Sequence, residues 1–502
     1  MTALPARAML WAFFPERPMS STSRQPVTIA LIPLVLVLLL LGINVAVYGY
    51  EGIEGPNQLA LLLGGGLAAL IGLRRGRHWQ QLQDGMLKVV GVAIVPMMML
   101  LLIGALSSTW TVAGIVPTLI YYGLQLADPA WFYAGVAVVC AIVSTAIGSS
   151  WTTAATLGIA MMATGAGLGM SETITAGAVI SGAYFGDKLS PLSDTTNLAA
   201  GVCGVELFSH VRYLALTTLP SFAIALLIFL AIGLQHSGNG TIVQADIMLK
   251  ALTHSMVISG WLLLAPLLVV ILIVRRVPAL PVMFIATLLG SLLSALVQPD
   301  IVQQIGGSDD WLGMYRGLVQ TIVGDSQIET GHEFSNELLS SSGMAGMLNT
   351  IWLILCAVVF GGLMEASGLL GDITSSLKRV ARNRTALVAT TAGSCGILNL
   401  TAAEQYLTIL ISGRMYGDLY RQHGLSPRNL SRTLEDAGTA TSVLVPWNTC
   451  GAFHATALGV ATLSYLPFCF FNLISPLMSM LYMRFNIAIE EYPAPQESDA
   501  HR

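Results

Sequence analysis

Charge is what this sequence has least of. Only 10% of its 502 residues are Asp, Glu, Lys or Arg, against roughly 25% in a soluble domain, and mean hydropathy is +0.72. Such a chain cannot cover its surface for water, so a polytopic membrane protein is expected. The 23 basic and 27 acidic residues leave a net charge of -4, which gives no cationic face for nucleic acid. There is no phosphate-cradling glycine loop and no zinc-protease motif. Neither is there a nucleophile, base and orienting group at useful spacing, so no enzyme is expected. The six cysteines (Cys140, Cys203, Cys356, Cys395, Cys450, Cys469) stand singly in apolar segments. They read as small buried side chains, with no disulfide, transition metal or cofactor implied.

Glycine, by contrast, is plentiful at 50 residues, which suits the close approach of membrane helices. A cytoplasmic N-terminal extension, 1–26, carries Arg7, Arg17 and Arg24 before a first apolar run at Val27 to Tyr50. No small-residue cleavage site follows it, so it reads as a retained helix. A second run, Asn57 to Leu73, ends in Arg74, Arg75 and Arg77, and this basic turn places the N-terminus in the cytoplasm. Val89 to Leu106 reads as a third span, and Ser107 to Leu126, broken by glycine and proline, as an interfacial helix. Trp131 to Gly148 and Thr153 to Gly169 form a helical hairpin (131–170) with a polar tip at Ser149, Ser150 and Thr152.

The stretch GAYFGDKLSPLSDTTNLAAG, Gly182 to Gly201, interrupts the next apolar segment (173–210). Polar and charged groups at membrane depth are costly and mark function, and a broken helix is how transporters expose backbone to ions. Asp187, Ser190, Ser193, Asp194, Thr195, Thr196 and Asn197 supply the oxygen donors that a hard cation such as sodium selects. Pro191 frees backbone carbonyls by breaking the helix. Lys188 either neutralises Asp187, leaving Asp194 as the ligand, or leaves both carboxylates to divide cation and proton between them.

The second half follows the same plan. Scaffold helices (257–364) surround an acidic external loop, 298–343, and follow an earlier external loop, 235–256. A second hairpin (385–415) turns at Thr401 and Glu404. A second interrupted segment (433–457) carries Asp436, Thr441, Asn448 and His454, and a final span from Leu458 to about Met483 leads to a cytoplasmic tail, 484–502. Asn197 and Asn448 are 448 − 197 = 251 apart, as are the hairpin tips Thr152 and Ala403, 403 − 152 = 251. The distribution of Lys and Arg starts the first unit (27–234) in the cytoplasm and the second (257–483) outside, so two inverted repeats are expected to share one ion site. Sodium is then expected between the broken helices, with Asp194 to Asn197 facing Asn448. Glu404 also suits a helix cap, and His454 also suits a structural role.

GAYFGDKLSPLSDTTNLAAG, followed by VELFSHVRY, resembles the signature region of the NhaC family of sodium/proton antiporters, and LEDAGTATSVLVPWNTCGAF resembles its second-half counterpart. The resemblance implies an all-α fold of two inverted repeats with re-entrant hairpins and broken helices, working as a homodimer by an elevator-like shift in the lipid of a bacterial inner membrane. It implies sodium and protons as the transported ligands. Relatives that carry organic acids or amino acids keep a second function open, sodium-coupled transport of a small carboxylate held by Ser149, Ser150, Thr152 and Thr401.

Overall fold

The computed structural model describes residues 27–492 apart from 49–53, 127, 237–248, 251, 276, 329–335, 337–338 and 379. The N-terminal extension with its three arginines, most of the 235–256 loop, and Glu329, Glu333, Glu337 and Arg379 lie outside the described residues. Among the described residues there are helices and two isolated antiparallel bridges, and no strand.

Three long helices open the chain: α1 (Val27–Tyr48), α2 (Pro56–Arg74) and α3 (Trp79–Val112). The third runs past its expected end at Leu106. Its polar stretch stays helical because the Thr109 and Thr111 hydroxyls donate back to the Ala105 and Ser107 carbonyls, each at 2.8 Å. The segment expected at the interface is instead interior, with Trp110, Val112, Ala113 and Ile115 all buried. It continues as α4 (Ile115–Leu126) after a turn at Gly114.

The first hairpin descends through α5 (Phe132–Ile147), turns at Gly148, and returns through α6 (Ser150–Thr153), a π-helical turn (Ala154–Gly158) and α7 (Ile159–Gly167). The broken helix follows as α8 (Glu172–Leu189) and α9 (Asp194–Cys203), so the interruption is the four residues Ser190 to Ser193. α10 (Leu207–His236) then crosses in one piece. After a 3₁₀ turn come α11 (Leu264–Val274) and α12 (Ala279–Val297). The 298–343 loop is largely structured: α13 (Pro299–Gly306) and α14 (Trp311–Val323) pack on each other, and α14 also rests on α3 and α12.

α15 (Leu348–Ala366) packs between α2 and α3. α16 (Leu369–Lys378) is tied to the basic turn after α2 by Arg75 and Asp372 at 2.7 Å. The second hairpin is α17 (Arg384–Thr401) and α18 (Gln405–Gln422). The second broken segment is α19 (Pro427–Thr433), a π turn (Leu434–Thr439), α20 (Ala440–Ser442) and, after a gap, α21 (Thr449–Leu458). The expected single final span is two pieces, Thr462–Phe468, which contains α22 (Thr462–Tyr465), and α23 (Phe470–Arg484), bent by 57°. Among the described residues six helices are long and apolar enough to cross a membrane, or seven with that bent pair.

Small residues let α5 and α8 approach closely. A Cβ at Gly182 would overlap the Ala137 carbonyl and approach Cys140 Cβ at 2.9 Å. Gly182→Ala is therefore expected to destabilise by about 1–3 kcal/mol, read as a lower thermal midpoint in detergent. Gly201→Ala, with open space on α9, is expected to be neutral or to stabilise by under about 1 kcal/mol.

Landmarks of the two halves recur at a constant spacing, one helical turn longer than the asparagines suggest. The left-handed hairpin-tip residues Gly148 (φ 74°) and Ala403 (φ 55°) are 403 − 148 = 255 apart. So are the N-caps Ser149 and Glu404, the N-caps Ser193 and Asn448, and the left-handed C-caps Gly204 and Gly459. An N-cap needs a short oxygen-bearing side chain, which Ser and Asn both provide. Ser193 is thus the counterpart of Asn448, and Asn197 sits one turn inside α9.

Candidate ion-binding site

Ser193 caps α9 by accepting from the Thr196 amide, and this places Asp194 at the first position of that helix. The positive end of a helix stabilises a carboxylate there. Asp194 is exposed, whereas Asp187, on the last turn of α8, is buried. The tip of the first hairpin holds Asp187: its Oδ2 accepts from the Ser150 amide at 3.1 Å and from the Ser150 hydroxyl at 2.7 Å. The tip itself is tightened by Thr152, which donates to the Ser149 hydroxyl through its amide and its Oγ1.

A cavity of about 460 Å³ opens at this point. Ser149, Thr152, Asp187, Ser193, Asp194 and Thr195 line it, together with Gln405 and Tyr406 from the start of α18 and an apolar wall from α3 and the segment before α12. Among the described residues no Lys, Arg or His lines it. Two carboxylates and five hydroxyl-bearing residues, Tyr406 included, line one space and form a hard, oxygen-rich donor set, which fits a small cation such as sodium.

The other expected residues lie elsewhere. The Ser190 hydroxyl accepts from the Leu192 amide, Thr196 donates to the Lys188 carbonyl, and Asn197 donates to the Pro191 and Ser193 carbonyls. Asn448 caps α21 and donates to the Asn399 carbonyl at 3.1 Å, so each asparagine is engaged within its own half. Thr441 accepts from Asn399, and Thr401 donates to its own helix. Glu404 caps α18 through Leu407 N at 3.0 Å, buried rather than interfacial. His454 Nδ1 donates to the Cys450 carbonyl at 2.8 Å, and the ring packs against Tyr184 and Phe453.

Asp436 has a different partner from the one its position suggests. It forms a buried ion pair with Lys188 and accepts from Ser475 at 2.9 Å, Thr217 at 2.9 Å and Ser479 at 2.6 Å. Lys188 also donates to Ser475 at 2.8 Å. The lysine therefore serves Asp436 and not Asp187, and the pair bridges the two broken segments.

A family profile described as the Na+/H+ antiporter family matches residues 182–487, more than half of the chain. The chain belongs to that family. It is 40% identical over 423 residues to the Na(+)/H(+) antiporter NhaC of Alkalihalophilus pseudofirmus, covering 84% of this chain and 89% of that one. It is 35% identical over 429 residues to the Malate-2H(+)/Na(+)-lactate antiporter of Bacillus subtilis, covering 85% and 89%. It is also 34% identical over 456 residues to the Arginine/ornithine antiporter ArcD of Halobacterium salinarum, covering 90% of each. The antiporter family membership and the apolar helices together make it a multi-pass membrane protein.

Sequence reasoning missed Gln405 and Tyr406 as cavity residues, because nothing local distinguishes them from the remainder of α18. It also passed over Glu435, which stands beside Asp436 in the antiporter signature and is fully buried. The tip residues can be tested directly. An alanine in the left-handed region is strained by roughly 1–2 kcal/mol, so Ala403→Gly is expected to raise the thermal midpoint. Gly148→Ala is expected to lower it, because its Cβ would also meet the Leu192 backbone at 2.7 Å.

Proposed function

We propose that this chain exchanges sodium for protons across a bacterial inner membrane, and that both ions are handled in the cavity lined by Asp187 and Asp194. The observation that carries this reading is the lining itself: carboxylates and hydroxyls, with no basic group among the described residues that face them. Sodium and a proton bind the same carboxylate in alternation, so neither rides with the other, which is the minimum an exchanger needs. Asp194 receives the ion from solvent and Asp187, braced by Ser150, holds it in the dry interior.

The 255-residue spacing supports two structural repeats. The basic turns at Arg74 to Arg77 and at Arg414, Arg421 and Arg428 support opposite orientations, with both termini in the cytoplasm. The second half of each broken helix packs on the other unit's hairpin, α9 on α18 and α21 on the π turn after α6. We read hairpins and broken helices as one body that shifts, elevator-like, against α1 to α3 and α11 to α15, in a homodimer embedded in lipid.

A second reading keeps the cavity and adds a small organic acid or amino acid. A volume of about 460 Å³ exceeds what one sodium ion needs, and the N-terminal ends of α9 and α18 at the cavity suit a substrate carboxylate. Purified protein in liposomes with an imposed proton gradient separates the two. Sodium efflux coupled to proton influx with no organic solute present is expected. Transport only after malate, lactate, arginine or ornithine is added overturns the first reading in favour of the second.

A further inference from the structure

We propose that Glu435 and Thr439 form a second monovalent-cation position, buried on the π turn Leu434–Thr439 and separate from the cavity. Glu435 is fully buried, and neither of its carboxylate oxygens has a hydrogen-bond partner. Thr439, one turn further on, is fully buried and its hydroxyl lies towards the Glu435 carboxylate. Two amides from neighbouring helices, Asn399 of α17 and Asn472 of α23, dock on this stretch with their oxygens orphaned. Asn399 donates to the Gly438 carbonyl at 2.8 Å and Asn472 to the Ala440 carbonyl at 2.9 Å, while the Oδ1 of each stands alone. Four unpartnered oxygens and the Thr439 hydroxyl thus belong to side chains on or against residues 435–441, and π turns inside helices are frequent at functional sites.

The charge count points the same way. Glu435 and Asp436 are adjacent carboxylates served by one ammonium, and Lys188 gives its short contact to Asp436 and its other bond to Ser475. The other charged groups of this region are Asp187, whose negative charge reaches Glu435, His210, which lies in the field of Lys188 and Asp436, and Arg432, buried three residues before Glu435, which donates to the Ala488 carbonyl and lies over the Tyr213 ring. Neither Lys188 nor Arg432 forms an ion pair with Glu435, and a buried carboxylate without a partner is costly. A proton would quench the charge yet engage one oxygen, leaving the amide oxygens as they are. A water molecule would leave the charge. A sodium ion supplies the charge and accepts several oxygen ligands at once, and an all-oxygen donor set is the kind such an ion selects. The π turn is enclosed by α17, α18 and α23, so this ion sits within the body that carries both hairpins.

This position does not depend on the cavity reading. The test is equilibrium binding of radioactive sodium to the purified full chain in detergent, with choline replacing sodium at fixed ionic strength. Wild type is expected to bind two sodium ions per chain, the Asp187→Asn/Asp194→Asn variant one, Glu435→Gln one, and the three changes together none. Glu435→Gln binding as many ions as wild type with unchanged affinity overturns the proposal. A double-aspartate variant that still binds two ions overturns the cavity reading and leaves this one standing. Should Glu435→Gln fail to fold, Thr439→Ala answers instead. It is expected to weaken the remaining ion of the double-aspartate variant by about tenfold, and an unchanged affinity overturns the proposal.

Discussion

Lys188→Met is expected to lose most of the folded protein. Both members of the Lys188–Asp436 pair are fully buried, and removing the lysine strands an anion that three hydroxyls then hold without a counter-charge. Breaking a buried pair from one side costs about 3–5 kcal/mol, a large share of a total stability of roughly 5–15 kcal/mol. The cost falls where α8 meets the second π turn, so the two broken segments should separate together. The measurements are the yield of monodisperse protein in detergent and its thermal midpoint. Asp436→Asn is expected to destabilise as well, because it leaves the ammonium stranded beside the Phe471 ring, 5.2 Å from its centroid. Lys188→Met/Asp436→Asn should retain more folded protein than either single change, since no charge is then left uncompensated. A double variant as poor as the sum of the singles would mean that the two groups do not act as a pair.

The same residues mark where sequence reasoning reaches and where it stops. Asp187, Ser193 and Asp194 were legible because polar residues flanked by long apolar runs have few explanations in a membrane, and the structure gathers them with the Ser149 to Thr152 tip at one cavity. The partner of Lys188 was not legible. Asp187 is its neighbour in sequence, yet adjacent helical residues point apart, and Asp436 lies 436 − 188 = 248 residues away. The spacing of the halves was legible to within one turn. Matching asparagine to asparagine gave 251, whereas cap geometry gives 255, because a helix start is defined by a short oxygen-bearing side chain and not by one residue type. Glu435 could have been found, since it is a carboxylate in an apolar signature, but its orphaned oxygens are a property of three-dimensional packing. The stretch after Leu106 was misread because its glycines and proline look like breaks, whereas Gly114 makes one turn and the hydroxyls before it satisfy their own helix.

Asp194→Asn is expected to reduce sodium-dependent transport by about a hundredfold, because a charged oxygen ligand is worth roughly 2–3 kcal/mol more than its neutral isostere. Its effect on stability should stay within about 0.5 kcal/mol, since the side chain is exposed at the start of α9 and packs against nothing it would strand. The charge and not the shape is what changes, as Asn also suits a helix start. Asp187→Asn is expected to match that loss of transport but to differ in stability. The buried Asp187 carboxylate accepts both the amide and the hydroxyl of Ser150, and an amide oriented to accept both presents one oxygen fewer to the ion. Ser150→Ala removes the brace while keeping the charge, so transport should fall by about tenfold, roughly the worth of one charge-assisted hydrogen bond. The order Asp187→Asn and Asp194→Asn well below Ser150→Ala, with all three recovered from the membrane, is measured as the rate of sodium efflux from liposomes. Normal efflux by Asp194→Asn would move the exchange site away from the mouth of the cavity, and normal efflux by Asp187→Asn would move it away from the interior end.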